Sequence, residues 1–198
     1  MKPHNMNQQT ARTKSHLKQA FISLVSQKGY QHVTVTDIVD SAQYNRTTFY
    51  HYYLDKEDLA DELRKEMFEA IINMSINKYS VGTVIKTEEL NAHSYDLIYF
   101  IKNNQAYFNL LLVSDTVPGI HHDLPDAIYE VLEKQFEFTS ENSDAANTAA
   151  YKKYMAHGTA GLITEWIRND YDLSPEALSL QFIKILQTMV KGFVIRKV

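Results

Sequence analysis

Between Asn45 and Lys56 the chain gathers Arg46, Thr47, Thr48, Tyr50, His51, Tyr52 and Lys56. Side chains of these types grip nucleic acids. Arg donates two hydrogen bonds to a guanine edge, Thr meets a thymine methyl or a phosphate, and Tyr and His donate to phosphate oxygens. Lys56 adds a positive charge and a helix N-terminus whose amides suit a phosphate. Phe49 and Tyr53 are four residues apart, so they share a helix face and can pack inward, turning the other side chains outward. The competing reading makes Tyr50 and Tyr52 core residues, but three adjacent aromatic and His positions cannot all face inward.

Two short helices must hold this set. Thr34 is the N-cap of the first, with Asp37 in the capping-box position and Ile38, Val39 and Ala42 on its apolar side. Asn45 is the N-cap of the second, and only Gln43 and Tyr44 lie between the two, which is a helix-turn-helix layout. Ahead of them, Leu17, Ala20, Phe21, Leu24 and Val25 form the stripe of a helix that opens near Thr10 or Thr13 and closes at Lys28, with Gly29 as its left-handed end. Behind them, Asp55 caps a long helix whose stripe runs through Leu59, Leu63, Met67, Ala70, Ile71 and Met74. Beyond a loop at 80–87, helices are expected at 88–103, 105–114, 124–139, 146–169 and 175–196, with Pro125 and Pro175 in first turns. No β alternation stands out. The expected fold is all-α: a helix-turn-helix domain at 1–56, joined by a long helix to a larger helical domain at 57–198 for dimerisation and effector binding.

Thr34-Val35-Thr36-Asp37-Ile38, Ala42, Thr48-Phe49-Tyr50-His51-Tyr52-Tyr53 and Lys56-Glu57-Asp58-Leu59 resemble, in order and spacing, the N-terminal domain of the TetR/AcrR family of bacterial regulators. The resemblance covers residues 10–65. It implies a three-helix DNA-binding domain, a connecting fourth helix and a helical C-terminal domain that dimerises. By position it implies base contacts from Thr36 and Arg46, and base or phosphate contacts from Thr47, Thr48, Tyr50, His51, Tyr52 and Lys56, in the helix capped by Asn45. Arg12 and Lys14 could reach flanking phosphates on electrostatic grounds. The chain departs from the pattern at the turn, where Gln43 replaces the usual Gly and Tyr44 a small aliphatic residue. A left-handed Gln43 costs about 1 kcal/mol.

The resemblance also implies a small-molecule effector. An amphipathic pocket is the expectation for Met67, Ile71, Tyr95, Tyr99, Phe100, Tyr107, Phe108, Leu111, Met155 and Trp166, since tyrosines offer both flat apolar faces and hydroxyls; the alternative is that these aromatics are plain core. The last two helices are expected to form a two-fold four-helix dimer interface through Gly158, Gly161, Leu162, Phe182, Ile185, Met189 and Phe193.

Composition bounds the rest. The 198 residues carry a net charge of −4 and no cysteine, so disulfides and thiolate metal sites are excluded. Residues 1–53 hold six basic and two acidic side chains, so a polyanion is drawn to that end. The polar start has no apolar signal segment, and no apolar run spans a bilayer, so a cytoplasmic protein is expected. Adjacent His121-His122-Asp123 are poor co-ligands, so no metal is expected; no nucleophile–base pair or phosphate loop is visible, so no catalysis or cofactor is expected either. The reading is a homodimeric regulator, a repressor, on a palindromic double-stranded operator, with an apolar or aromatic effector. The alternatives are a ligand-independent adaptor or coactivator that recruits a partner protein, and a helical ligand-binding or enzymatic protein with an accidental helix-turn-helix.

Overall fold

Thr13 lies well inside the first helix rather than at its start. In the computed structural model, which describes residues 3–76, 79–140 and 143–196, helix α1 spans Pro3–Lys28. Pro3 takes the opening position, where a missing N–H is harmless, and Gln8, Gln9, Ala11 and Arg12 are good helix formers. The Thr13 hydroxyl donates to the Gln9 carbonyl one turn back, at 3.0 Å. At the other end Gly29 has φ +82°, and a Cβ there would run into the Asp115 carboxylate. Glycine is therefore required by backbone and neighbour together.

Helices α2 (Val35–Ala42) and α3 (Arg46–Tyr50) follow, then α4 (Lys56–Ile76). The chain divides into two compact units, Met1–Glu66 with Ala106–Ile120, and Met67–Gln105 with His121–Val198. The first unit buries Leu17, Phe21 and Val25 of α1 with Ile38, Phe49 and Leu59, and the later segment adds Phe108 and Leu110.

In the second unit, 3-10 turns at Thr87–Glu89 and Ala92–Ser94 precede α5 (Asp96–Asn103). Helix α6 (Gln105–Phe108) runs into a 3-10 turn at Asn109–Leu112 in the first unit. Helices α7 (Ile120–Gln135), α8 (Ser143–Ala146), α9 (Ala149–Arg168) and α10 (Pro175–Met189) complete a mostly helical fold. Helix α7 starts four residues before the expected position, because Ile120 and Leu124 supply a buried first turn. Pro125 thus sits inside the helix rather than in its first turn, and His121-His122-Asp123 open a helix rather than forming a loop.

The expected helical fold stands, and the correction to it is a small three-stranded antiparallel sheet in the order β1-β3-β2: β1 (Val84–Lys86), β2 (Phe136–Thr139) and β3 (Gly192–Ile195). Helices read as running to 139 and 196 therefore stop at Gln135 and Met189. Gly192 sits in the central strand, where a Cβ would strike the Ile85 carbonyl oxygen. Ile85, Phe138 and Phe193 join Met155, Leu186 and Val190 in one buried cluster. Along β2, the Asn147 carboxamide pairs with Phe138 like a strand, accepting from its N–H and donating to its C=O, both at 2.8 Å.

Candidate functional site

Helix α2 is fixed by a complete capping box. Thr34 Oγ1 accepts from the Asp37 N–H at 3.2 Å, and Asp37 accepts from the Thr34 N–H at 2.8 Å. Lys28 pairs with Asp37 at 2.7 Å, and with the Thr34 bonds it draws that carboxyl down to about 2. The helix closes on Gln43, left-handed at φ 58°, ψ 42°. Gln43 N–H bonds to Asp40 O, and Tyr44 N–H to Val39 O, which is a Schellman end built without glycine. Tyr44 is half-buried, and its hydroxyl shares a 3.1 Å hydrogen bond with His16 Nδ1 on α1. The residue that departs from the family pattern thus ties the turn to α1.

Asn45 opens α3 by accepting from the Thr48 N–H at 2.8 Å and its hydroxyl at 3.0 Å. Phe49 is fully buried and Tyr53 nearly so, their rings 5.5 Å apart. Arg46, Thr47, Tyr50 and His51 are exposed, while Thr48 and Tyr52 are half-buried. Tyr52 meets His51 edge to face at 4.9 Å. Arg46 Nη2 donates to Thr36 Oγ1 across the two helices at 2.5 Å, and both residues are exposed. A guanidinium steadied by a neighbouring hydroxyl keeps further N–H donors to offer.

Lys56 is placed differently. Its ammonium donates to the carbonyl oxygens of Tyr30 at 2.9 Å and Val33 at 3.0 Å, and lies 4.5 Å from the Tyr30 ring centre. Any phosphate contact by this group competes with those bonds. The charge expectation also changes. Lys14 and Lys18 both bind Glu62 at 2.5 Å, and Lys18 also reaches Glu66. With the α4 carboxylates and Asp115 included, the first unit holds nine basic and nine acidic residues. Attraction to a polyanion therefore depends on where exposed cations stand, not on a net positive unit.

The second unit contains an open cavity of about 140 Å³, walled by α7, the sheet and the start of α5. Helices α9 and α10 leave a separate apolar face uncovered. Tyr154, Gly158, Gly161 and Leu162 are exposed on α9, and Leu180 and Ile185 on α10. A groove joins Leu162 to Ile185.

Residues 19–63 match the family described as bacterial regulatory proteins, tetR family, and residues 88–188 match that described as transcriptional regulator C-terminal region. The chain belongs to the TetR family. It is a DNA-binding transcriptional regulator with the family's helix-turn-helix unit and helical C-terminal unit. It is 21% identical over 165 residues to the uncharacterized HTH-type transcriptional regulator YxbF of Bacillus subtilis (strain 168), covering 83% of this chain and 42% of that protein. The chain thus spans less than half the length of that relative. It is 25% identical over 131 residues to the dhaKLM operon transcriptional activator DhaS of Lactococcus lactis subsp. lactis (strain IL1403), covering 63% of this chain and 70% of that one. A solved dihydroxyacetone kinase operon activator DhaS superposes with TM-score 0.61 at 19% identity, over 90% of this chain and 96% of that one. FadR of Bacillus subtilis, solved with stearoyl-CoA, gives TM-score 0.52 at 18% identity, over 87% and 96% of the two chains.

In this TetR-family regulator, three of the residues expected around an effector come together: Ile71, Tyr95 and Met155 line the cavity. The others do not line it. Tyr99 turns to Glu176 and His93. Tyr107, Phe108 and Leu111 are buried in the segment belonging to the first unit. Trp166 borders the α9–α10 groove and donates to the Leu173 carbonyl at 2.9 Å, and Met67 and Phe100 lie outside the lining. Sequence reasoning missed Phe136, Phe138 and Phe193, which line the cavity from the sheet; alternation in Phe136-Glu137-Phe138 was the available signal. Phe182 and Phe193 are corrected from interface to core: Phe182 stacks on Tyr95 at 5.9 Å, and Phe193 lies in the central strand. Met189 is half-buried against the same core. Gly158, Gly161, Leu162 and Ile185 are the expected interface residues that stay exposed.

Proposed function

We propose that the protein is a homodimeric repressor that binds a palindromic operator in the cytoplasm and is released from it by a small molecule held in the second unit. The observation that supports this most is the Arg46–Thr36 pair, two exposed side chains joined across the helix-turn-helix above an α3 held rigid by Asn45 and Phe49. Arg46 reads a guanine edge, Thr36 orients it and meets an adjacent base, and Thr47, Tyr50, His51 and Tyr52 contact the backbone or neighbouring bases. Dimerisation uses the uncovered face of α9 and α10, which places two recognition helices on two half-sites.

The test is DNA selection from a random pool, followed by titration of the selected duplex. A palindrome is expected, and Arg46→Ala should lose about 1–3 kcal/mol of discrimination at one position of each half-site. Failure to select any sequence, or an Arg46→Ala protein with undiminished preference, would sink the assignment. Similarity to a protein named as a transcriptional activator favours activation as the second reading of sign. A reporter behind the selected site separates the two, since deleting the regulator raises expression for a repressor and lowers it for an activator.

A further inference from the structure

The cavity's chemistry narrows the class of effector; this step rests on the effector reading above. Its walls are apolar, with Ile128, Val131 and Leu132 from α7 and Phe136, Phe138 and Phe193 from the sheet. Polar groups reach it from the turn before α5, where Ser94, Tyr95 and Asp96 are consecutive. Ser94 Oγ already accepts from the Asn91 N–H at 3.0 Å. The Tyr95 ring is held by stacking on Phe182, and its hydroxyl makes no hydrogen bond with any described residue. Burial pushes the Tyr95 phenol well above its ordinary pKa, so the group remains a proton donor.

Charge points the same way. Among the described residues lining the cavity Asp96 is the one that bears a charge, and no Lys, Arg or His is present. Lys152, one turn before Met155, has its ammonium engaged by the carbonyls of Phe136 at 3.1 Å and Glu133 at 3.4 Å. A carboxylate or phosphate entering this space would lose its water and find no described countercharge, and a cation would have to compete with the first turn of α5 and with the partner that Asp96 already has. A neutral oxygen acceptor would instead complete the Tyr95 hydroxyl at no such cost.

We infer that the effector is an uncharged amphiphile, its apolar body against Phe136, Phe138 and Phe193 and a ketone, ester or alcohol oxygen on the Tyr95 hydroxyl. The class excludes fatty acids and acyl-CoA phosphates from the cavity interior, unlike the stearoyl-CoA found with the FadR neighbour.

Calorimetric titration of the full chain with 2-nonanone, nonanoate and octyltrimethylammonium tests this directly. The ketone should bind at least about tenfold more tightly than either ion. Tyr95→Phe, which keeps the stacked ring, should cost the ketone about tenfold, and Asp96→Asn should narrow the gap between ketone and nonanoate. Nonanoate or the cation binding as tightly as the ketone overturns the inference while leaving an effector site standing. An unchanged ketone affinity in a folded Tyr95→Phe protein overturns the role of that hydroxyl. If none of the three binds, the effector reading fails with it. Should Tyr95→Phe not fold, the wild-type series still decides the charge class.

Discussion

Carbonyl oxygens of the turn between α1 and α2 converge on Lys56 Nζ, with the ring of Tyr30 beside it. Replacing the ammonium in Lys56→Ala removes their donor, and a loss of about 1–3 kcal/mol follows. Thermal denaturation should show a Tm several degrees lower, whatever the DNA affinity becomes. An unchanged Tm would mean that the ammonium is free for phosphate and that its carbonyl bonds contribute nothing. Gln43 presents the opposite case, a residue held where its own side chain is unwelcome. Its φ of 58° is one glycine adopts without strain, so Gln43→Gly should gain up to about 1 kcal/mol against urea. The gain is bounded because glycine also frees the unfolded chain. A loss in that experiment would show that the Gln43 side chain contributes more than its backbone costs.

At the scale of elements, α1 and α4 are joined through Glu62. Burial pushes this carboxyl up, but hydrogen bonds from Lys14, Lys18 and Tyr53 outweigh it and hold the pKa at about 2. Because the folded value lies below the unfolded one, the contribution is complete above about pH 5 and is lost as the pH falls toward 2. Asp37 at the α1–α2 contact acts in the same direction. Glu62→Gln should therefore narrow the difference in Tm between pH 7 and pH 3, and an undiminished difference would remove Glu62 from the account. The caps of α2 and α3 were legible in the sequence because Thr34 with Asp37 and Asn45 with Thr48 settle their geometry within one turn. The sheet was not. Its strands have three or four residues and pair across long stretches of chain, and Phe136 and Phe193 fit equally well at the ends of helical stripes. The cavity was half-legible for a related reason. Local pattern marks α5 as apolar, but packing buries Ile98 and Ile101 while Tyr99 turns outward.

For the whole molecule, the uncovered face of α9 and α10 decides assembly. Beyond the neighbouring turns of α9 itself, no described atom lies within 4 Å of a Cβ added at Gly158 or Gly161, so a second helix can approach closely there, with Leu162 and Ile185 nearby. The double substitution Leu162→Glu, Ile185→Glu places charges at exposed positions and should give a folded monomer by light scattering at micromolar concentration. A dimer that survives it would move the interface elsewhere. A last consequence concerns solubility, and it lies with Asn147. An unpaired strand edge recruits other chains and seeds aggregates. Here one edge of the sheet is occupied by a side-chain amide imitating the next strand. The other belongs to a three-residue strand carrying the exposed Lys86, short and charged enough to discourage a visitor. A half-buried sheet, announced in the sequence by little more than the Phe136-Glu137-Phe138 alternation, is thereby kept from becoming a template for fibrils.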